Sequence, residues 1–161
     1  MAKVLSVAIL NLQNELNVGS IVRTSNAAGV DEIIIIGRKK WNKSAATGSQ
    51  HKSALRNMRT TDEFLDYCNK NNYSLVCLEI SKVSQNIFDF VYPEKTMLIV
   101  GNEGTGIPEK ILNRASSVVQ IPQFGDVECM NAAASASIAI YDWVRKEQTK
   151  QVKGTRGFKF E

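Results

Sequence analysis

Three short stretches of this 161-residue chain hold polar and glycine residues at spacings that could do chemistry. The first is Asn17-Val18-Gly19-Ser20-Ile21-Val22-Arg23-Thr24. Asn17 has the side chain of a helix N-cap, and Gly19 admits close approach by a ligand or another backbone. Arg23 would then lie about a turn and a half into the helix, where by itself it reads as a surface charge. The second stretch, Gly101-Asn102-Glu103-Gly104-Thr105-Gly106-Ile107-Pro108, follows the apolar run Met97 to Val100. Glycines at the carboxyl end of a parallel strand make a loop where nucleotides often bind, or simply a turn that caps the next helix. The spacing is neither a dinucleotide fingerprint nor a phosphate loop, which excludes the usual nucleotide-dependent oxidoreductases and kinases. Glu103 would repel a phosphate and suits the cationic or hydroxyl-bearing end of a ligand. The third stretch runs from Gln120-Ile121-Pro122-Gln123-Phe124-Gly125 through Cys129-Met130-Asn131 into Ala132-Ala133-Ala134-Ser135-Ala136-Ser137. Residues this small permit close packing against a helix, a backbone or a flat ligand, and they also favour helix for its own sake.

Other chemistries find little to work with. Cys68, Cys77 and Cys129 have no CxxC spacing and His51 is the single histidine, which argues against a disulfide scaffold, a zinc site or a serine- or cysteine-based triad. Cys129 has no basic neighbour in sequence to activate it. Met1 to Val4 leads straight into a strand-like run, and no apolar stretch approaches the ~18 residues of a membrane span, so the expectation is a reduced, soluble, cytoplasmic protein.

The elements that must position these stretches follow from periodicity. Strands are expected at Val4–Leu10, Glu32–Ile36, Ser74–Glu79, Thr96–Val100 and Val118–Ile121, and helices at Val18–Ala28, Thr61–Asn71, Pro108–Asn113 and Asn131–Lys146. Ile33 to Ile36 and Met97 to Val100 are apolar on both faces, the pattern of strands covered by helices on each side. The fold class is therefore α/β with a mostly parallel sheet, in one domain over 1–147 with a basic tail over 148–161.

One segment breaks the alternation. Between Gly37 and Thr60, Arg38, Lys39, Lys40, Lys43, Lys52, Arg56 and Arg59 occur with no acidic residue, with Trp41 and His51 among them. The whole chain carries only a net +4. Cations interleaved with a stackable aromatic suit a phosphate backbone and exposed bases, which makes Arg38, Lys39, Lys40, Trp41, Lys43, His51 and Lys52 candidates for nucleic-acid contact. The tail adds Lys150, Lys153, Arg156 and Lys159.

In this order, the three stretches resemble the SpoU-type RNA 2′-O-ribose methyltransferases of the SPOUT superfamily. The resembling residues are the N-x-G-x-x-x-R-T run at Asn17 to Thr24 with Gly29-Val30, then Gly101 to Gly104 with Gly106-Ile107-Pro108, then Ile121-Pro122 with Cys129-Met130-Asn131. The resemblance spans Asn11 to Lys146. It implies a C-terminal trefoil knot, a homodimer, S-adenosylmethionine as methyl donor and a structured RNA as acceptor, tRNA ahead of rRNA, with no metal. By position, Leu78, Gly101, Ile121, Cys129 and Met130 would hold the donor. Asn17, Arg23, Glu103 and Asn131 match the family's polar active-site positions. The family usually has serine where this chain has Cys129, and a thiol is the weaker hydrogen-bond donor. A non-catalytic RNA-binding relative is thus the competing reading.

Overall fold

The computed structural model describes residues 2–37 and 40–148. Seven strands, β1 (Val4–Leu10), β2 (Ile33–Ile36), β3 (Leu55–Met58), β4 (Ser74–Leu78), β5 (Gln85–Asn86), β6 (Lys95–Val100) and β7 (Ser117–Gln120), form one sheet in the order β3-β2-β1-β6-β4-β7-β5. Every pairing between these strands is parallel. Four helices cover it: α1 (Glu15–Ala28), α2 (Thr61–Lys70), α3 (Glu109–Leu112) and α4 (Ala132–Glu147).

Strand alternation assigns each face its helices. Val7, Ile9, Ile33, Ile35, Leu98 and Val100 share one core with Val18, Ile21 and Val22 of α1 and Ala136, Ala139, Ile140 and Trp143 of α4. Ala8, Ile34, Ile36, Met97 and Ile99 point the other way, onto Phe64, Leu65 and Cys68 of α2 and Ile111 of α3. The four consecutive isoleucines of β2 are all buried, each contributing about 1.5–3 kcal/mol.

Two strands, β3 and β5, arise where periodicity gave no sign. Both lie at sheet edges, and in Leu55-Arg56-Asn57-Met58 the two middle residues are exposed while Leu55 and Met58 pack against the core, a pattern too short to mark a strand before it pairs with β2. Helix α1 begins earlier than expected. Asn14, not Asn17, is its N-cap, with extended backbone and Oδ1 accepting from Leu16 N. Asn17 sits in the first turn and is buried. The helix ends at Gly29, whose φ of 71° is the left-handed conformation glycine adopts freely. Among the described residues no helix is long and apolar enough to cross a membrane.

Candidate active site

Strands β4, β6 and β7 end side by side, Leu78 being level with both Val100 and Val119. The loops leaving them enclose a cleft of about 430 Å³ at the carboxyl ends of the strands, the usual ligand position in a parallel α/β sheet. Leu78, Gly101, Ile121, Cys129 and Met130 all line it, and Glu103 stands on its wall. Sequence segments far apart thus meet at one place.

The glycine loop is shaped by lack of space. A Cβ on Gly101 would lie 2.8 Å from the Gly106 carbonyl carbon and 2.8 Å from Ile107 Cγ1. This closeness lets Asn102 and Gly106 exchange two backbone hydrogen bonds, at 3.2 and 2.8 Å. Asn102 fastens the loop further: its Nδ2 donates to Asn11 O at 2.6 Å, and its Oδ1 accepts from Gly104 N and Thr105 N. Opposite, Glu79 Oε2 accepts from Ile107 N at 3.0 Å and Oε1 from Ile80 N at 3.1 Å. Neither Asn102 nor Glu79 figures among the sequence candidates. The rule that ligands meet residues just past the carboxyl ends of parallel strands would have found both.

Three of the polar candidates form a chain of hydrogen bonds beside the cleft. Asn131 Nδ2 donates to Asn17 Oδ1 at 3.1 Å, and Asn17 Nδ2 donates to Glu103 Oε1 at 2.9 Å. Glu103 Oε2 also accepts from Gln13 N at 2.8 Å. Asn131 caps α4, its Oδ1 accepting from Ala133 N and Ala134 N. Burial alone would raise the Glu103 carboxyl, but hydrogen bonds from Asn17 and from the Gln13 and Asn14 backbone outweigh it and hold the group below its usual range. Glu103 is therefore an anion that ties the start of α1 to the glycine loop, favourably placed at a helix N-terminus. Arg23 stands apart: it is exposed on α1 and does not line the cleft.

The basic segment divides. Lys40, Lys43, His51 and Lys52 are exposed, whereas Arg38 and Lys39 lie outside the described residues, as do residues 149–161 of the expected tail. Trp41 is not the stacking platform its setting suggested: it is 8% exposed and packs in the core shared by α1 and α4. Just after it, segment 42–46 presses directly on α1 at Gly19, where a Cβ would come within 2.9 Å of Ala45 Cβ and 3.0 Å of Ala46 N. The close approach that Gly19 permits is thus by backbone. Trp41→Ala is expected to lower stability by about 3–5 kcal/mol, read from the denaturant midpoint, without changing the RNA affinity of the folded protein.

Arg56 is committed as well. Its Nε lies 2.8 Å from Glu32 Oε1, and the Tyr67 hydroxyl donates to Glu32 Oε2 at 2.6 Å. That bond to the carboxylate, with burial, pushes the Tyr67 phenol up to about 12. Burial likewise pushes the Cys68 and Cys77 thiols up to about 12, while Cys129 is exposed.

Residues 4–141 match the model of the SpoU rRNA Methylase family. The chain belongs to this family. The SpoU chain is 29% identical over 145 residues to the tRNA (guanosine(18)-2′-O)-methyltransferase of Aquifex aeolicus, covering 87% of this chain and 68% of that protein. Its identity to the Escherichia coli K12 protein of the same name is 25% over 147 residues, covering 89% of this chain and 64% of that protein, just under two thirds of its length. The crystal structure of the A. aeolicus TrmH/SpoU tRNA modifying enzyme superposes with a TM-score of 0.81 at 29% identity, over 89% of this chain and 75% of that one. The SpoU methyltransferase AviRb from Streptomyces viridochromogenes, solved in complex with AdoMet, shares the fold with a TM-score of 0.82 at 24% identity, over 91% of this chain and 61% of that one. The parallel sheet with helices on both faces is thus the SPOUT methyltransferase architecture.

Proposed function

We propose that this SpoU-family chain methylates a ribose 2′-hydroxyl of structured RNA, tRNA in preference to rRNA, with S-adenosylmethionine as donor. The observation that carries this reading is the convergence of three loops on one cleft. Leu78, Gly101, Ile121, Cys129 and Met130, spread over about a third of the chain, line a single cavity whose ≈ 430 Å³ suits a nucleoside-sized ligand. Gly101, which leaves no room for a Cβ against Gly106 and Ile107, keeps the loop folded tightly at the edge of this cavity. The same convergence of loops around residues 78–80, 101–106 and 120–132 supports the C-terminal trefoil knot.

When bound, S-adenosylmethionine supplies a methyl group on a good leaving group, so the protein's tasks are positioning and charge. A ribose hydroxyl is a poor nucleophile at neutral pH. Arg23, through its planar guanidinium, orients the neighbouring phosphate and stabilises negative charge growing on the 2′-oxygen. Asn17, Glu103 and Asn131 act by holding α1, the glycine loop and α4 in fixed relation through the hydrogen-bond chain described above. Their role is therefore positioning. The exposed Lys40, Lys43, His51 and Lys52 supply the RNA contact.

A homodimer belongs to the same reading. Leu16 on α1 and Ile138 and Tyr141 on α4 are large apolar side chains exposed at 49%, 36% and 48%. A second copy packed there would cover them. It would also give Arg23, which lies outside its own chain's cleft, a place near a partner's.

The deciding experiment incubates the protein with S-adenosylmethionine and either unmodified tRNA or, in parallel, unmodified rRNA, then analyses nucleosides by mass spectrometry. The expected result is one 2′-O-methylated nucleoside and none in rRNA. Because Cys129 lies exposed on the cleft wall, a second reading is an RNA-binding protein without turnover. Binding of both tRNA and donor with no methylated product would establish that reading instead.

A further inference from the structure

The charged groups on the cleft wall are of one sign. Among its lining residues only Glu79 and Glu103 carry a formal charge at neutral pH, and no lysine, arginine or histidine joins them. The two carboxylates stand on different walls, Glu79 just past β4 and Glu103 in the loop after β6. Glu103 is turned toward Gln13, Asn14 and Asn17. Glu79 is partly exposed and accepts only from the backbone of Ile107 and Ile80, with no cation among the partners described for it. Each carboxylate oxygen can accept two hydrogen bonds, so Glu79 keeps unused acceptor capacity.

A net negative wall treats the two ends of a methyl transfer differently. The sulfonium donor carries one more positive charge than the neutral thioether left after transfer, and the two are otherwise almost the same shape. We propose that Glu79 is a specificity-determining residue that favours the charged donor over its spent product, so that transfer itself weakens the hold on the product. The inference rests on the methyltransferase reading above. Attraction between a carboxylate and a cation about 4 Å away amounts to roughly fivefold in affinity at the dielectric of bulk water and to far more at that of a protein surface, and solvent screening of a partly exposed pair sets the expected effect at about tenfold. The thioether keeps the donor's ammonium and carboxylate groups, so the sulfonium charge is what separates the two ligands at such a wall.

The test is calorimetric titration of the wild-type and Glu79→Gln proteins with S-adenosylmethionine, with its demethylated thioether, and with an analogue bearing a protonated amine in place of the sulfonium. Glutamine keeps an oxygen to accept from Ile107 N, so the brace to the glycine loop survives while the charge and the bond from Ile80 N are lost. The donor and the amine analogue are expected to lose about tenfold in affinity in the variant, with the thioether changed less than about twofold. Equal weakening of all three ligands would mean that Glu79 braces the loop or holds a group they share, and would overturn the proposal. Unchanged affinities would overturn it too. On the wild-type protein alone, raising salt is expected to narrow the preference of donor over thioether, and a constant ratio would count against it. If neither donor nor thioether binds wild-type protein with or without tRNA, it is the methyltransferase reading that fails, an outcome distinct from the others.

Discussion

Arg23→Ala is expected to lower methyl transfer by about 10²–10³-fold, the loss usual when a group stabilising developing negative charge is removed. Affinity for S-adenosylmethionine is expected to stay within about twofold, because an interaction made only at the reacting centre adds nothing to ground-state binding. The structure supports this separation. Arg23 is exposed, and the buried side of α1 is carried by Asn17, Val18, Gly19, Ile21, Val22 and Ser25. Truncation at Arg23 therefore opens no cavity, and stability is expected to change by less than about 0.5 kcal/mol. Arg23→Lys keeps the charge but loses the planar fork that grips a phosphate through two hydrogen bonds, so it is expected to recover only part of the rate. Single-turnover transfer to tRNA beside calorimetric titration of the donor measures both quantities. A variant that loses donor affinity in step with transfer would show that Arg23 supports the cleft rather than the reaction.

The second large effect is expected at Gly101. In Gly101→Ala the new methyl group meets the Gly106 carbonyl carbon at 2.8 Å and the Gly106 oxygen at 3.0 Å. These are backbone atoms and cannot swing aside as a side chain would. The loop must open, breaking the two backbone hydrogen bonds between Asn102 and Gly106 and carrying Glu103 away from Asn17. Donor affinity is expected to fall by about 100-fold or more, since several positioned contacts are lost together. The β6 core of Met97, Leu98 and Ile99 lies behind the loop and is not disturbed, so the protein should still unfold cooperatively. Calorimetry with the donor, with a thermal melt as control, decides it. Wild-type affinity in this variant would place the donor somewhere other than the cleft.

Most of the framework was legible in the residues themselves. β1 was expected at Val4–Leu10 and is found there, and the ends of β2, β4, β6, β7, α2 and α4 agree within about a residue with their expected positions. These elements are long or strongly apolar, so local periodicity and burial say the same thing. The disagreements share a cause. β3 and β5 are edge strands too short for their own side chains to mark them before they pair with a neighbour. Trp41 stands among lysines in sequence, yet it packs in the core with residues of α1 and α4 that lie far from it along the chain. Asn17 and Asn14 are both competent caps, and only the path of the chain into α1 chose between them.

The residue types along the chain therefore determined, without any structure, that this is an α/β domain with a parallel sheet and which three stretches could bear chemistry. What the tertiary structure alone decided is how those stretches meet. Leu78, Gly101, Ile121 and Met130 become neighbours because β4, β6 and β7 end together, and that strand order is a long-range pairing no local pattern encodes. The partner of Glu103 is likewise a tertiary fact: its carboxylate reaches back to Asn17, and Asn131 reaches to the same side chain from the far end of the chain. Side-chain chemistry is a property of single residues, and sequence shows it. Charge pairing, burial and a cleft belong to distances between residues, and those exist only once the sheet has closed around its core.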